Sequence, residues 1–334
     1  RGPDRKLEAI DRACRFFRTD EYRDLQVLFN LAWCGFALDA EYEVVRALRA
    51  KGRDYTEDEK RALLETMRAA VRRVVGLYAD AAAHGRAELT CSPFYHPILP
   101  LLCRMSDAAR SVPASRLPEK LWTEPEEARR QLRYGLDFHE RTFGALPRGL
   151  WPPEGAISDA ALALIAAEGV RWAASDEEVL AAGFERDTRP APHELYRPWQ
   201  AADGRLSLIF RDHHLADLIG FVSRDWSAAD AAADFLAHLR RVAATVAPGQ
   251  PPPLISVILD GENPWGWYRD AGEGFLRALY QGIEADPTLT TVTVSDYLEQ
   301  YPPQQSLTSV FPGSWVHHSF STWIGGAEHR RAWN

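Results

Sequence analysis

The segment Leu206-Ser207-Leu208-Ile209-Phe210-Arg211-Asp212 decides the fold class of this chain. Its apolar run predicts a strand, and two charged residues follow directly at the C-terminal end. An apolar run followed by an acidic residue also occurs upstream, at residues 149–154 and 170–176, and downstream, at residues 254–262. Helical patterns separate these runs, and capping boxes are predicted at Thr56 with Glu59 and at Thr123 with Glu126. The apolar run 254–259 is of the kind found in a strand buried on both faces. Strands that alternate with helices over about 200 to 300 residues favour a parallel sheet.

The acidic residues at these strand ends favour a closed barrel over an open sheet. In a β/α barrel the C-terminal ends of the strands form one face, and the loops there carry the chemistry. Four successive strand ends supply the carboxylates that we expect to converge there: Glu154, Asp176, Asp212, Asp260 and Glu262. Further strands are predicted at Glu88–Cys91 and Thr291–Val294. The predicted fold class is therefore α/β, of the barrel type.

Composition excludes several classes of function. The 334 residues carry 39 Lys and Arg against 47 Asp and Glu, a net charge of −8, whereas nucleic-acid binding depends on clustered positive charge. No apolar run is long enough to predict a membrane span. The four cysteines form no C-x-x-C pair, and no cofactor is predicted. Eleven tryptophans beside two methionines are typical either of core packing or of sugar binding, because indoles stack on sugar rings.

The loop Gly149-Leu150-Trp151-Pro152-Pro153-Glu154-Gly155 is the first candidate for a catalytic motif. Two prolines make the loop rigid, and a glycine behind the glutamate permits an unusual backbone angle. A rigidly presented carboxylate beside an aromatic ring suits a nucleophile or general acid that acts on a sugar. The alternative is that Glu154 only helps to cap the helix that Ser158 is predicted to begin.

A second candidate motif extends from Ile209 to Asp217 and places Arg211, Asp212 and His213 at a strand end. Asp212 fits a general acid whose protonation is set by burial and by its charged neighbours. A metal site formed by Asp212, His213 and His214 is the competing interpretation. Adjacent histidines point in different directions, and the chain contains no H-x-x-x-H spacing, so no metal is predicted.

The third motif, Leu259–Tyr268, alternates acidic, amide and aromatic side chains after a predicted strand. Asp260 and Glu262 would bind sugar hydroxyls, and Trp265 would cover a ring face. A calcium loop is the rival interpretation, although the acidic spacing of an EF-hand is absent. A simple turn is the remaining alternative.

Five segments together resemble glycoside hydrolase family 57, most closely its amylopullulanase and α-amylase-like branch. They are Glu88–Leu102, Gly149–Glu154, Phe210–Phe221, Leu259–Trp265 and Gly313–Trp315. The resemblance implies a (β/α)7 barrel followed by a helical region, acting on α-glucans with retention of configuration. It implies Glu154 as the nucleophile and Asp212 as the general acid/base. It also implies that His96, Asp260 and Glu262 line the reacting subsite and that Trp33 and Trp151 stack on sugar rings. The other predicted substrate-binding residues are Arg211, His213, Trp265 and Trp315.

The chain departs from the family pattern because it contains no His-Gln-Pro sequence, which the family carries on its first strand. We therefore expect a barrel that lacks its first strand over residues 1–305, and the start of the helical region over residues 306–334. The expected partner is an α-glucan oligo- or polysaccharide, and a cytoplasmic location is the default. The alternatives are a 4-α-glucanotransferase or branching enzyme, a metal-dependent deacetylase or mannosidase-like enzyme, and an inactive glucan-binding protein.

Overall fold

A computed structural model describes residues 3–112, 117–247 and 249–334, apart from the side chains of residues 3–6 and 13. The chain divides into two compact units. The N-terminal unit comprises the residues up to Ala81 together with Tyr268–Glu273, and the catalytic-motif unit comprises Ala82–Trp267 and Gly274–Asn334. Among the described residues, no helix combines the length and the apolar character that a membrane crossing requires.

The N-terminal unit is helical. Reciprocal hydrogen bonds between Thr56 and Glu59 form the predicted capping box at the start of its longest helix. Its core consists of Val27, Leu31, Cys34, Val45, Leu48, Tyr55 and Leu63. The helices are α1 (Pro3–Phe16), α2 (Thr19–Ala32), α3 (Phe36–Glu41), α4 (Glu43–Lys51) and α5 (Glu57–Ala83).

The second unit contains a five-stranded sheet in the order β1-β2-β4-β3-β5. The strands are β1 (Gly149–Leu150), β2 (Trp172–Asp176), β3 (Trp199–Gln200), β4 (Ser207–Arg211) and β5 (Gln305–Ser306). Strands β1, β2 and β4 are parallel neighbours, as the barrel prediction requires. Single parallel bridges extend this series at Cys91 on one side and Ser256 on the other. The segments predicted at 88–91, 149–151, 170–174, 206–210 and 254–259 therefore follow one another across the sheet.

Two predicted strands are not formed as expected. The segment 254–259 pairs only at Ser256, because β3 runs antiparallel along the first half of the same edge of β4. A cavity of about 840 Å³ borders this segment, so it is not buried on both faces as predicted. The predicted strand 291–294 is also wrong, because Val294 already begins a helix whose N-cap is Thr293.

Helices cover the sheet and alternate with its strands. Ser158 accepts a hydrogen bond from the Ala161 amide and caps its helix as predicted, whereas Pro125 follows an N-cap at Glu124 and the predicted capping box at Thr123 does not form. The remaining helices are α6 (Leu99–Arg104), α7 (Ala108–Ser111), α8 (Pro125–Phe143), α9 (Asp159–Ala167), α10 (Glu177–Gly183), α11 (Pro192–Leu195), α12 (His213–Asp217), α13 (Ala228–Ala243), α14 (Glu273–Ala285), α15 (Val294–Gln300) and α16 (Ala327–Trp333).

The two faces of the sheet are distinguished by what packs on them. Successive side chains of a strand point to opposite faces. Trp172, Ala174 and Ile209 form a small cluster with the partly buried Trp151 and Ile258, and we call this side the inner face. Leu208 and Phe210 belong instead to the large core shared with the helices, which we call the outer face. By this alternation Asp176 and Arg211 share the inner face.

Candidate active site

Glu154 lies in a loop that the local sequence makes rigid. Pro152 and Pro153 precede it, and its own backbone is left-handed at φ 58° and ψ 23°. A left-handed glutamate is uncommon and occurs where surrounding contacts enforce it. Gly155 also has φ 58°, and a Cβ there would come within 2.9 Å of the Trp151 ring. The Gly155 carbonyl accepts a hydrogen bond from Ser175 of β2 at 2.7 Å, which ties the loop to the sheet.

Both carboxylate oxygens of Glu154 have protein partners. The His96 Nε2 atom lies 3.1 Å from Oε1, and the Trp315 Nε1–H donates to Oε2 at 2.8 Å. The Trp315 backbone amide also donates to the Glu154 carbonyl at 3.0 Å. The Glu154 side chain is nevertheless 28% exposed to solvent, so a substrate can reach it. The carboxylate is therefore oriented without being enclosed.

Arg211 connects this loop to the neighbouring strand ends. Its guanidinium carbon lies 4.9 Å from the centre of the Trp315 ring, a cation–π contact. Its Nε–H donates to the buried Asp176, and its Nη1–H donates to the Ile258 carbonyl at 3.1 Å. The structure thus joins Trp315, Asp176 and the 254–259 segment through one side chain.

His213 lies beside the same buried aspartate. Its Nδ1 atom is 3.5 Å from Asp176 and its Nε2 atom is 3.1 Å from Asp217. The hydrogen bond to Asp176 raises the pKa of His213 to about 9, while partial burial and the Arg211 charge oppose that shift. Burial alone would raise the pKa of Asp176, but the His213 hydrogen bond and the Arg211 charge lower it below its usual range. The two carboxylates beside the ring favour the cationic form of His213, while the Arg211 Nη2 atom, 3.2 Å from Nδ1, opposes it.

Replacing His213 with glutamine is expected to remove a pH-dependent part of the stability. The folded pKa of about 9 exceeds the unfolded value of about 6.5, so the stabilisation is complete below about pH 6.5 and is lost as pH rises through 9. After discounting for 30% exposure, we expect a loss of about 1–2 kcal/mol near pH 6 and almost none near pH 10.

Urea unfolding of the two proteins across this pH range measures the difference. His214→Gln is the matched control, since that ring packs against His238 and makes no recorded contact with Asp176. A His213→Gln deficit that stays constant with pH would contradict the assignment.

Asp212 is placed differently from its neighbour Arg211. It is 2% exposed and lies on the outer face, where its Oδ1 accepts the Leu215 amide at 2.8 Å and so caps α12. Its Oδ2 accepts the Tyr196 hydroxyl at 2.7 Å and lies 2.7 Å from Arg189. Both oxygens are occupied and almost no surface is open to a ligand. Asp212 is therefore not brought to the group around Glu154.

The candidate metal ligands of the second motif diverge in the structure. Asp212 contacts Tyr196, His213 contacts Asp176, and the ring of His214 packs 4.9 Å from that of His238. Within the described residues, one trio of potential ligands does cluster, namely Asp176, Glu178 and His213. The Arg211 guanidinium already pairs with Asp176 and lies 3.2 Å from His213 Nδ1, and a cation at this position does not favour a metal ion on this trio.

The third motif forms an exposed loop after the 254–259 segment. Asp260 and Glu262 are exposed, and the Asp260 carboxylate accepts a hydrogen bond from Asn263. The Trp265 Nε1–H donates to the Gly261 carbonyl at 2.8 Å. The side chain of Ile258, two residues before Asp260, packs with the inner-face cluster. The Ile258 carbonyl accepts the Arg211 Nη1–H at 3.1 Å, so Arg211 contacts the backbone that leads into the Asp260 loop.

The predicted sugar-stacking tryptophans have different surroundings. Trp151 is half-buried and its ring lies edge-on to Trp315, with the ring centres 5.1 Å apart. Trp315 is engaged by Glu154 and Arg211, as described above. Trp33 belongs to the N-terminal unit, where it is 72% exposed at the end of α2 and lies beside Phe29. His96 is accessible as well as bonded to Glu154, with 57% of its side chain exposed.

Sequence reasoning did not identify the residues that enclose Asp212. Arg189 makes ion pairs with Asp212 and Glu177 at 2.7 and 3.0 Å. Burial raises the pKa of Glu177 to about 7, with Asp212 adding to the shift and Arg189 opposing it. Burial and the bond to Asp212 raise the pKa of Tyr196, which keeps it a donor. No local pattern marks Arg189, but strand alternation could have separated Arg211 from Asp212.

A rigidly held glutamate beside aromatic rings at the C-terminal ends of parallel strands is an arrangement typical of glycosidases. Residues 5–309 match the family model described as glycosyl hydrolase family 57. This match covers most of the sequence, and the chain belongs to glycosyl hydrolase family 57. None of the curated proteins compared with the chain matches it.

Solved structures share the fold at low sequence identity. A family 57 branching enzyme from Thermococcus kodakaraensis is 16% identical with a TM-score of 0.63, covering 94% of this chain and 63% of that one. An α-amylase from Thermotoga maritima is 16% identical with a TM-score of 0.58, covering 88% and 62%. A 4-α-glucanotransferase from Thermococcus litoralis is 17% identical with a TM-score of 0.56, covering 76% and 34%. The chain thus spans between about a third and two thirds of these proteins.

Proposed function

We propose that the protein acts on α-glucans by a retaining mechanism in which Glu154 is the nucleophile. The observation that carries this proposal is the presentation of Glu154: a left-handed backbone, a partner on each oxygen, and an accessible side chain. Membership of glycosyl hydrolase family 57 supports the reaction class. The names of the similar solved structures, an α-amylase, a branching enzyme and a glucanotransferase, support the α-glucan as substrate.

Glu154 would attack the anomeric carbon and form a glycosyl–enzyme intermediate as the glycosidic bond breaks. Its bonds to His96 and Trp315 hold the carboxylate in one orientation. Such preorientation lowers the barrier because the reacting atoms need not search for the attack geometry. A second carboxyl group must give a proton to the leaving oxygen and then take one from water or an acceptor hydroxyl.

The proton donor is the point at which the sequence prediction and the structure favour different residues. The sequence predicts Asp212, but a general acid must come within hydrogen-bond reach of the leaving oxygen, and Asp212 is 2% exposed with both oxygens occupied. Asp260 is exposed in the loop after the 254–259 segment, two residues after the carbonyl that Arg211 contacts. We therefore assign the proton-donor role to Asp260.

Product analysis tests the proposed function. Incubation with maltoheptaose is expected to give shorter maltooligosaccharides whose newly formed ends are initially in the α configuration, because two displacements retain the configuration. Proton NMR during the first turnovers measures this, and cellohexaose, which is β-linked, is the control substrate. An initial β product would contradict retention. Binding of amylose without any product would indicate a glucan-binding protein instead.

Transfer to a sugar acceptor is the second candidate reaction, since both reactions pass through one intermediate. Trp267, within the third motif, favours it: its ring is 66% exposed and stacks with Arg224 at 5.0 Å, which offers a platform for an acceptor. Maltotriose separates the two reactions. A transferase makes products longer than maltotriose as well as shorter ones, whereas a hydrolase makes only maltose and glucose. Activity lost on chelation would instead favour the metal-dependent alternative.

A further inference from the structure

We infer that Arg211 and Trp315 act as one positioning unit, which orients Glu154 and links it to the strand end that carries Asp260. This inference rests on the proposed function, and it assigns both residues a role other than direct sugar binding. The supporting observations are the contact between Arg211 and Trp315 and the contacts of these two residues with the Glu154 loop and the 254–259 segment.

Trp315 is held to Glu154 at two points. Its indole N–H donates to the carboxylate at 2.8 Å, and its backbone amide donates to the Glu154 carbonyl at 3.0 Å. The preceding residue, Ser314, is fully buried and bonded to the Ser319 carbonyl, so the backbone at this point is well anchored. An indole has one donor and no acceptor. Because that donor is directed at Glu154, Trp315 has no other side-chain hydrogen bond to offer to a sugar.

Arg211 determines where the Trp315 ring lies. The guanidinium stacks on the ring at 4.9 Å while Trp151 contacts the same ring at 5.1 Å. Arg211 is 7% exposed, and its Nε–H and Nη1–H are directed at Asp176 and Ile258. Because these N–H groups already bond protein acceptors, few Arg211 donors remain for a sugar hydroxyl. The planar group is therefore a fixed support beneath the indole rather than a substrate ligand.

The hydrogen bond from Arg211 to the Ile258 carbonyl connects the unit to the segment that precedes Asp260. Asp260 lies two residues beyond the Ile258 carbonyl, in the loop that this segment leads into. The segment has only one bridge to β4, at Ser256, so the Arg211 contact is a second attachment near its C-terminal end. Retaining enzymes need their carboxyl groups about 5–5.5 Å apart. Arg211 thus contributes to the separation of the nucleophile and the proton donor.

Trp315→Phe and Arg211→Lys test this unit. Phenylalanine keeps a ring for Arg211 to stack on but removes the N–H, and lysine keeps the charge but loses the planar fork. Each variant is expected to lower kcat about 10- to 100-fold and to change KM less than about threefold. The rate at which a fluorinated α-glucosyl fluoride labels Glu154, measured by mass spectrometry, should fall by a similar factor.

A double-mutant cycle shows whether the two residues act as one. The kcat of the double variant is expected to be within about threefold of the kcat of the less active single variant. If the two residues acted independently, the fold losses in kcat would multiply. Arg186→Lys is the matched control, because Arg186 stacks on Phe184 at 5.0 Å outside the site. It should keep wild-type kinetics.

Two outcomes would overturn the inference while the proposed function stands. In both, the wild type turns over α-glucan and Glu154→Gln does not. Either Trp315→Phe and Arg211→Lys raise KM and leave kcat unchanged, as sugar ligands would, or their effects on kcat multiply. An active Glu154→Gln variant would instead refute the proposed function itself.

Discussion

Glu154→Gln should lower turnover of maltooligosaccharides by about 10⁴-fold or more while the fold stays intact. Glutamine has nearly the shape of glutamate, and its amide oxygen can still accept the Trp315 N–H that now bonds Glu154. It lacks the negative charge that attacks the anomeric carbon. The loss should therefore appear in kcat and in covalent labelling, with little change in the melting temperature.

Chromatographic product analysis over long incubations measures the residual rate. Glu299→Gln is the matched control, since Glu299 is a surface carboxylate 2.8 Å from Arg148 and should leave both rate and stability near wild type. Turnover by Glu154→Gln within tenfold of the wild type would remove Glu154 from the nucleophile role.

The second large effect separates the two proton-donor candidates. Asp260→Asn is expected to reduce kcat about 10³-fold with unchanged stability, because Asp260 is exposed and its bond to Asn263 lies within its own loop. Asp212→Asn is expected to lower the free energy of unfolding by about 2–3 kcal/mol, because it removes the charge that pairs with Arg189 and leaves that cation partly buried.

Urea denaturation and initial rates on the same samples give both quantities. An activated substrate with a good leaving group should restore the Asp260→Asn rate in the first step, because its departure needs no proton. If such a substrate instead rescues Asp212→Asn, and Asp260→Asn keeps wild-type rates, the sequence prediction of Asp212 is the better one. Tyr196→Phe serves as a control for Asp212, since it removes one hydrogen bond to that carboxylate and leaves the Arg189 pair.

Features that depend on neighbouring residues in the sequence were predicted well. The caps at Thr56 and Ser158, the positions of strands β1, β2 and β4 and the rigid loop of Glu154 all follow from local chemistry. Proline, glycine and capping side chains act within a few residues of themselves, so their effect can be recognised without the fold.

Features that depend on partners distant in sequence were not predicted. Glu154 and Trp315 are 161 residues apart, and no local pattern shows that an indole would meet the carboxylate. The predicted strand 291–294 is an exception, because it failed for a local reason: Thr293 caps the helix that begins at Val294. The short antiparallel β3 also has no local signal, and it limits the pairing of the 254–259 segment.

The two charged residues at the end of β4 show the limit of what could be predicted without the fold. Local patterns were enough to predict that a strand ends in Arg211 and Asp212, in a chain of alternating strands and helices with a rigid glutamate loop. The folded chain shows in addition that Arg211 contacts Trp315 and Asp176, while Asp212 is buried with Tyr196 and Arg189. These contacts could not be predicted because adjacent strand residues point to opposite faces, and the residues that cover each face come from distant parts of the chain.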